Sequence, residues 1–574
     1  MKALLLFLVC FSVGTLLAQP PDIFEAEGLG NREVEPTYRL ISSPKIIDSL
    51  AVAPITPQPL LQLYGDTKIS LDTIAAATVE TTEKIKALYP FYAKIGIGST
   101  IMPLGELFYN STRSRSSVYG AHIKHLSSFG NVKDRDKVTY APAGFDKTCA
   151  LVFGQFIKKN ITVGGDINYE NYGYHYYGIP SENISADSIR QRIQRTGFGL
   201  SLIANRGDSA RLNLKFDFAY KNLNSQKPLI DSLSDWRVRE NSFNFNTRGW
   251  YNKGSESFYA NFGVRYNGYK YGIADSAITA IDTGIVINNT IIDLYPGVLT
   301  NLLEKKLLVD VGVGISIDAN KVTRAYIYPR VTVSYSLLND LIIPFIGIRG
   351  GLNQNTYSSL NSVNPYVLTN LVLENENKPY DLFFGVRGGI TKRMTYGISA
   401  SFAKINNRAF FVTDTSYAKL GNQFYLVYDS LNLTSIEANL SYQMNEKLKI
   451  DGVGRFNSYE MKNEARAWNL PQLQFILRGT YNLYDKFLIR ADLTMESGRM
   501  AKVTGPGSGV LTENNQYFIP LGFLADGNLG VEYRYNKRVS AFLQINNIAS
   551  QRYSRWLNYP VMPIQIMGGI TARF

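Results

Sequence analysis

The 574-residue sequence has little of what a metal site or a disulfide framework requires. It contains two cysteines, and Cys149 is the only one outside an apolar N-terminal run. A single thiol cannot staple an exported fold, so stability must come from strand pairing and packing. The three histidines are His122, His125 and His175, and no paired carboxylates accompany them as metal ligands would. We therefore predict no metal site and no cofactor.

A catalytic constellation is also missing. Outer-membrane barrels that act as enzymes need a Ser–His or Asp–His pair at a definite position. His122 and Lys124 are expected to face the interior on the third strand, so a site there stays open as an alternative. No nucleophile has a definite position near them. We predict that the protein has no catalytic residues and is not an enzyme.

Long apolar runs and dense basic runs are absent as well. The one apolar stretch, Ala3 to Leu17, follows Met1-Lys2 and precedes the small residue Ala18. It is shorter than the roughly 20 residues that cross a bilayer as a helix, and it is typical of a secretory signal peptide, which we assign to residues 1–18. The net charge is +13, but no Lys/Arg cluster marks a nucleic-acid surface. An exported protein does not normally meet nucleic acid, and we predict none as a partner.

What the sequence has in abundance is alternation. Tyrosine (38), phenylalanine (30) and glycine (47) are frequent, and no helical apolar stripe of any length occurs. Segments of about ten residues place apolar side chains on one face and polar ones on the other, with the period of two that a half-wet strand shows. Examples are Arg211–Tyr220, Met394–Phe402, Phe487–Met495 and Val539–Ile545. The pattern predicts an all-β protein.

The connections between these segments favour a membrane barrel over a soluble sandwich. Very short turns alternate with long polar stretches, as in transmembrane barrels with short periplasmic turns and long outer loops. The short turns are residues 158–160, 253–256, 304–306, 392–393, 445–447, 484–486 and 536–538. The long stretches are residues 178–195, 222–240, 272–284, 353–380, 406–432, 498–516 and 549–563.

Two further patterns indicate the same class. Tyrosines crowd the strand ends, and we interpret them as an interfacial aromatic girdle. They are Tyr169, Tyr172, Tyr174, Tyr176, Tyr177, Tyr266, Tyr269 and Tyr271. The polar strand faces also carry full charges, which can lie in a watery lumen but would cost about 2–4 kcal/mol each at the lipid midplane.

This pattern predicts a transmembrane antiparallel β-barrel of about 22 strands over residues 91–574, in the outer membrane of a Gram-negative bacterium. The first strand is expected from Phe91 to Met102, and the last strand ends at Phe574. Because a strand that ends the chain would otherwise leave a raw edge, we expect it to pair with the first strand. Residues 19–90 contain eight prolines and are expected to form a short, irregular periplasmic or lumenal segment.

The expected lumen wall is rich in arginine. Its basic residues are Arg330, Arg349, Arg387, Arg455, Arg478, Arg490 and Arg534, together with Arg211 and Arg573. Acidic residues such as Asp217, Asp451, Asp492 and Glu532 are interspersed among them. A solvated wall of mutually paired charges explains this pattern most simply. The functional alternative is a lumen that attracts anions or an acidic segment.

The C-terminal hairpin resembles that of TonB-dependent outer-membrane receptors. It runs from Leu543 to Tyr553, continues through Tyr559-Pro560 and ends in the strand that closes at Phe574. The terminal aromatic resembles the signal by which the barrel-assembly machinery recognises its substrates. The cleavage site and the Tyr/Asn-rich strands resemble proteins of the Bacteroidetes. TonB-dependent receptors carry a large plug domain and a TonB box, whereas residues 19–90 are too short for such a plug and show no such box.

The resemblance to these receptors and the lack of room for a plug lead to two alternative functions. The first is a receptor or transporter that binds or moves a solute at the cell surface. The second is a plugless structural or assembly subunit with an outer-membrane or periplasmic protein partner. A barrel of this width needs something to fill it, and residues 19–90 are one candidate because they carry Asp22, Glu25, Glu27, Glu33 and Glu35. The alternatives are folded loops or a partner.

Overall fold

The structure is a computed structural model that describes residues 88–574, except residues 182, 205–211, 227–236, 274–284, 415–420 and 446. The predicted signal peptide, nearly all of the predicted N-terminal segment, and Arg211 lie outside the described residues. In the described part, no helix is long and apolar enough to cross a membrane.

The described residues form one closed antiparallel sheet of 22 strands, which confirms the predicted fold class. Strands β1 to β19 follow one another around the barrel, β19 pairs with β23, β23 with β24, β24 with β27, and β27 with β1. The barrel strands are β1 (Phe91–Gly98), β2 (Met102–Asn110), β3 (Ser117–Ser128), β4 (Phe145–Ile157), β5 (Ile161–His175), β6 (Arg190–Ala204), β7 (Leu212–Gln226), β8 (Arg237–Lys253), β9 (Glu256–Ile273), β10 (Ile285–Leu302), β11 (Leu307–Ala319), β12 (Thr323–Tyr335), β13 (Ile343–Asn353), β14 (Glu376–Thr391), β15 (Met394–Asp414), β16 (Gln423–Gln443), β17 (Leu448–Met461), β18 (Leu473–Leu483), β19 (Phe487–Ser497), β23 (Leu524–Arg534), β24 (Val539–Asn546) and β27 (Gln565–Arg573).

The connections contain short helices and strands. They are the helices α1 (Ala186–Ile189) and α2 (Tyr357–Val363), a small sheet of β20 (Met500–Val503), β21 (Leu511–Glu513) and β22 (Gln516–Pro520), and a ribbon of β25 (Ser554–Trp556) and β26 (Tyr559–Pro560).

The barrel closes between its first and last strands, as predicted. Residues Tyr92 to Gly98 of β1 pair with Arg573 to Met567 of β27. The amide of Phe91 donates to the carbonyl oxygen of Phe574 at 2.9 Å, the reverse bond is 3.1 Å, and the two rings stack with centroids 5.4 Å apart. The terminal residue therefore completes the seam, and neither strand keeps a free edge.

The predicted first strand, Phe91 to Met102, is wrong in its second boundary. Strand β1 ends at Gly98, a tight turn follows, and Met102 begins β2. The chain reverses where Ile101 adopts a left-handed backbone with φ of 49°. The sequence pattern missed this turn because it contains no glycine or asparagine at the reversal.

The two ends of the barrel differ in their connections. At the turn end, where Phe91 and Phe574 lie, the links include residues 158–160, 254–255, 303–306, 392–393, 484–486 and 535–538. At the opposite, loop end, the links include residues 129–144, 176–189, 354–375, 462–472, 498–523 and 547–564. This is the predicted alternation, with two short exceptions at the loop end, residues 99–101 and 320–322.

One predicted loop, residues 406–432, is largely strand, and another, residues 222–240, is strand at both of its ends. Strands β15 and β16 are 21 residues each and contain most of residues 406–432, while β7 and β8 extend into residues 222–240. The extensions of β7 and β8, residues 222–226 and 237–240, are mostly polar, whereas those of β15 and β16 carry apolar side chains such as Phe410, Val412 and Phe424, which are buried.

Strand side chains alternate between an apolar outer face and a polar inner face. Ile95, Ile327 and Ile570 point outward and are 70%, 75% and 61% exposed. A closed barrel with such an outer face is the only β architecture that spans a bilayer without unpaired backbone groups. This architecture places the protein in the outer membrane of a Gram-negative bacterium.

Candidate functional site

The loop between β13 and β14, residues 354–375, crosses the loop end of the barrel and is called the crossing loop here. It contains α2, whose start is fixed by a capping box in which the Thr356 hydroxyl accepts from the amide of Ser359 and the Ser359 hydroxyl accepts from that of Thr356. From its own strands the loop reaches β5 and β6 on one side of the barrel and residues 547–564 beside the seam on the other. Since these partners lie about eight strands away in either direction, the loop spans the mouth.

A hydrophobic core holds the crossing loop in place. It combines residues of the crossing loop with inward-facing residues of β5 to β9, β15 and β16 and with residues of three neighbouring loops. Its buried members are Ala141, Tyr174, Tyr176, Ile179, Ile189, Ile193, Leu223, Val238, Tyr269, Tyr357, Leu360, Val367, Leu368, Leu371, Leu373, Phe411, Phe424, Trp556 and Tyr559. Such a core is unlike the wet interior of an open pore, and we call it the loop-end core.

Hydrogen bonds from the barrel wall satisfy the backbone of the crossing loop. The Tyr174 hydroxyl donates to the carbonyl oxygen of Pro365 at 2.7 Å, and the Tyr269 hydroxyl donates to that of Thr369. Further anchors are the Arg195 guanidinium on the Asn361 side chain at 2.7 Å, the Glu240 carboxylate accepting from the Ser358 amide at 3.2 Å, and the amide pair of Asn289 and Asn375. Buried backbone groups need such partners, so the loop is built to pack here.

The centre of the loop-end core is an aromatic stack. The rings of Tyr366 and Tyr559 lie 3.6 Å apart at 16°, and Tyr177 meets both edge-on. The Tyr177 hydroxyl donates to the carbonyl oxygen of Pro560 at 2.9 Å. Burial raises the pKa of Tyr366 and of Tyr559 well above the ordinary tyrosine value, so both rings stay neutral.

A short parallel bridge joins the crossing loop to β16. Val367 lies opposite Phe424, the amide of Leu368 donates to the carbonyl oxygen of Phe424 at 2.8 Å, and the amide of Phe424 donates to that of Tyr366 at 3.0 Å. This bridge makes the loop a continuation of the barrel wall rather than a free flap.

The predicted aromatic girdle is wrong for six of its eight tyrosines. Tyr174, Tyr176 and Tyr269 are buried in the loop-end core, and Tyr172, Tyr177 and Tyr271 pack against it. Only Tyr169 and Tyr266 remain on the outer face. The cause is strand parity, because Tyr174 and Tyr269 lie on the inward-facing positions of β5 and β9.

The arginines of the predicted basic wall lie at strand positions that alternate with the exposed apolar ones, and four of the seven are in ion pairs. The four arginines in ion pairs are Arg349 with Asp381 at 3.0 Å, Arg455 with Glu437 at 2.9 Å, Arg478 with Asp492 at 3.6 Å, and Arg534 with Glu532 at 3.8 Å. Arg573 also lies 3.7 Å from Glu532. These contacts fit the simple explanation of a mutually neutralised wall.

The other three predicted arginines have a different environment. Arg330 lies over the ring of Tyr259 and Arg387 over that of Phe345, with cation-to-centroid distances of 5.9 and 5.4 Å. Arg490 lines a recess beside the seam, and its Nη2 has no hydrogen-bond partner in the described structure. Any attraction of the lumen for anions would come from these positions first.

The histidines have ordinary partners. His122 lies 2.8 Å from Glu106, His125 2.8 Å from the Thr148 hydroxyl, and His175 2.6 Å from the carbonyl oxygen of Gly144. No group of three metal-binding side chains comes together within the described residues.

The residues that anchor the crossing loop were not predicted from the sequence. Glu240 and Arg195 lie in stretches that were predicted to be loop. A buried carboxylate or guanidinium on an inward strand position is a usable signal, but only once strand register is known.

Comparison with known proteins supports the fold. No family model and no curated protein sequence matches the chain. Solved structures do. The ferripyoverdine receptor of the outer membrane of Pseudomonas aeruginosa aligns with a TM-score of 0.60 at 11% identity, covering 86% of this chain and 72% of that one. The chain has the fold of an outer-membrane receptor barrel.

Two further structures extend this similarity. The ferric-catecholate import receptor Fiu of E. coli gives a TM-score of 0.59 at 11% identity, over 85% of this chain and 82% of that one. The copper transporter OprC gives 0.60 at 13% identity, over 84% and 80%. The resemblance seen in the C-terminal hairpin therefore holds for the barrel. The missing plug and the origin in the Bacteroidetes stay predictions.

Proposed function

We propose that the protein is an outer-membrane receptor or transporter that binds a solute at the cell surface and admits it to the barrel. The observation that carries this proposal is the crossing loop, which closes the loop end through a core continuous with the wall. A closure of this kind is needed in a wide barrel that must exclude most solutes and admit a few. The three similar structures bear the names of two receptors and a transporter, which supports the same class.

The proposal includes an orientation and two N-terminal regions. Long loops of such barrels face outward and short turns face the periplasm, so the crossing loop lies at the surface. Residues 1–18 are the signal peptide, and residues 19–90 extend from the turn end into the periplasm or the lumen. The guanidinium groups near the turn end, such as that of Arg534, suit the acidic character of this segment. Insertion uses Phe574 and the barrel-assembly machinery.

A structural or assembly subunit is the second candidate. The paired charges of the lumen wall favour it, because a neutralised wall does not by itself select a solute. In that case the barrel would carry stoichiometric protein partners.

The test locks the crossing loop. Val367 and Phe424 are paired residues of a β-bridge, so cysteines at both positions can form a disulfide. A deletion strain is complemented with the wild type, with V367C/F424C or with the control V367C, and depletion of each component of the growth medium is followed. We expect at least one component to be taken up more slowly by the deletion strain. The double variant should restore its uptake only with a reductant, while V367C should restore it in either condition.

The proposal is contradicted if the deletion strain takes up every component of the medium at the wild-type rate. Affinity purification from the outer membranes of these strains then gives the alternative, since a subunit brings a fixed set of proteins with it. Uptake that is identical in the oxidised and reduced double variant would show that the crossing loop does not gate.

A further inference from the structure

A recess in the lumen wall beside the seam is lined by both apolar and charged side chains. It is formed by inward residues of β1, β2, β3, β19, β23, β24 and β27, and its empty volume is about 710 Å³ including the part open to the lumen. One half is apolar and the other half is charged. We call it the seam recess.

The apolar half lies toward the loop end. Met102, Leu104, Phe542 and Met567 are all buried and pack together, with Leu126 beside them. All point inward, although the lumen of a membrane barrel is ordinarily polar. The Phe542 ring lies flat on the seam because Gly96 and Gly569 have no side chains, and a Cβ there would come within 2.8 and 2.6 Å of the ring. The sequence thus makes room for an apolar surface inside the barrel.

The charged half lies toward the turn end. Its cations are Lys94, Lys124 and Arg490, and its carboxylates are Glu106 and Glu532. Each carboxylate already has a basic neighbour outside the three recess cations: His122 lies 2.8 Å from Glu106, and Arg573 and Arg534 lie 3.7 and 3.8 Å from Glu532. The Lys94 ammonium is buried and lies 4.1 Å from the centroid of the Phe542 ring, where the two halves meet.

Several polar atoms of the seam recess have no hydrogen-bond partner in the described structure. The donor is Arg490 Nη2, and the acceptors are Glu106 Oε2, Glu532 Oε1 and Gln544 Oε1. Leaving a buried polar group without a partner costs roughly 1–3 kcal/mol. This donor and these acceptors are complementary to a ligand group that both accepts and donates hydrogen bonds.

The two halves lie at a distance that suits one chain. From Lys94 to Gly98, which pairs with Met102, there are four residues along β1, or about 13 Å at the rise of a strand. A ligand with its head group at Lys94 and Arg490 would place an extended acyl chain of medium length along Leu104, Leu126 and Met567.

We propose that the seam recess binds a single-chain amphiphile whose head group carries both a negative charge and hydrogen-bond donors. The anionic oxygens accept from Arg490 Nη2 and the Lys94 ammonium, the head-group N–H donates to Glu106 Oε2 or Gln544 Oε1, and the acyl chain covers the apolar half. This site is independent of gating by the crossing loop.

The test uses two probes that differ only in head-group donors. Full-length protein in nanodiscs of phosphatidylcholine is titrated with lysophosphatidylethanolamine or lysophosphatidylcholine of the same chain, and retention per barrel is measured by native mass spectrometry. We expect one retained molecule of the ethanolamine lipid at about tenfold lower concentration, because charge-assisted hydrogen bonds are the strong ones. Equal retention of the two probes would overturn the assignment of the head group.

Variants locate the site. R490Q should reduce retention about tenfold, and L126Q should reduce it for both probes. The matched control R478Q removes another lumen arginine on the neighbouring strand β18, outside the recess, and should leave retention unchanged. Unheated gels confirm that each variant is folded. If R490Q and R478Q behave alike, or if L126Q retains the probe fully, the seam recess is not the site.

Discussion

The two ends of this barrel differ in the length and packing of the connections between strands. At the turn end, connections of two to four residues, such as 254–255 and 303–306, do no more than reverse the chain. At the loop end, four long connections fold together into a core with 19 buried hydrophobic members. The register shifts of the described strands also gather toward the loop end, as between Arg349 and Gly351 and between Ile405 and Arg408, so the two ends differ in their strands as well as in their connections. One end carries the contact between Phe91 and Phe574 that completes the seam, and the other carries the loop-end core.

The turn end should give the largest effect. Deleting Phe574, or making Phe574→Asp, removes the ring stacked on Phe91 and the outward aromatic at the end of the closing strand. We expect the folded band on unheated gels of outer membranes to fall to a small fraction of the wild-type level, because an Asp would face lipid or its interface. Phe574→Tyr keeps the ring and serves as the control. Normal folded levels in the Asp variant would show that the seam does not depend on this residue.

Labelling of intact cells should separate the two ends completely. A tag inserted at Gly507, which is exposed at the loop end, should react on intact cells. A tag at Lys537, which is exposed at the turn end, should react only after lysis. The opposite pattern would invert the topology.

Within the loop end, the aromatic stack should matter most. Tyr559→Ala removes a buried ring from the centre of the core, and truncations of this kind cost about 3–5 kcal/mol. We expect the crossing loop to be cleaved by external protease in this variant while the barrel keeps its heat-modifiable band. Tyr535→Ala, at an exposed turn-end position, is the control and should resist cleavage like the wild type. A resistant Tyr559→Ala would mean that the stack does not hold the loop.

The smallest expected effect is a pH dependence of the crossing loop. Burial raises the pKa of Glu374. The hydrogen bonds from Lys321 at 3.1 Å and from Asn407 at 2.8 Å lower it, and the net effect is a pKa below the ordinary value of 4.5. Because the pKa is lower in the folded state, ionised Glu374 stabilises the folded loop. This stabilisation is complete above a pH of about 4.5 and is lost as the pH falls through the lowered pKa. Hydrogen exchange of the loop, corrected for intrinsic rates, should therefore be equally protected at pH 7 and 5 and less protected at pH 3.5. Glu374→Gln should remove this change, and an unchanged pH profile in that variant would assign it to other groups.

The contrast between the ends also explains what the sequence could predict. Alternation specifies barrel strands strongly, because a shift of one residue would turn charges such as Arg455 toward lipid. The short turns, the closing strand and the lumen arginines were accessible for that reason. The loop-end core was not, since its contacts join Tyr174 to Pro365 and Tyr177 to Pro560 across nearly 200 and 400 residues of sequence. The tyrosines at strand ends carried the signal, but their parity sends them inward to the core rather than outward to a girdle.

The central claim is that the crossing loop closes the barrel, and single-channel conductance tests it most directly. Deleting Pro20 to Pro59 first removes most of the N-terminal segment as a second closing element, and in this background residues 357–372 are replaced by a short Gly-Ser linker. We predict that the deletion alone leaves conductance and vancomycin sensitivity at the wild-type level, and that the linker variant opens a large, stable pore. A large pore in the deletion alone, with no further increase on loop replacement, would contradict the account and assign closure to the N-terminal segment.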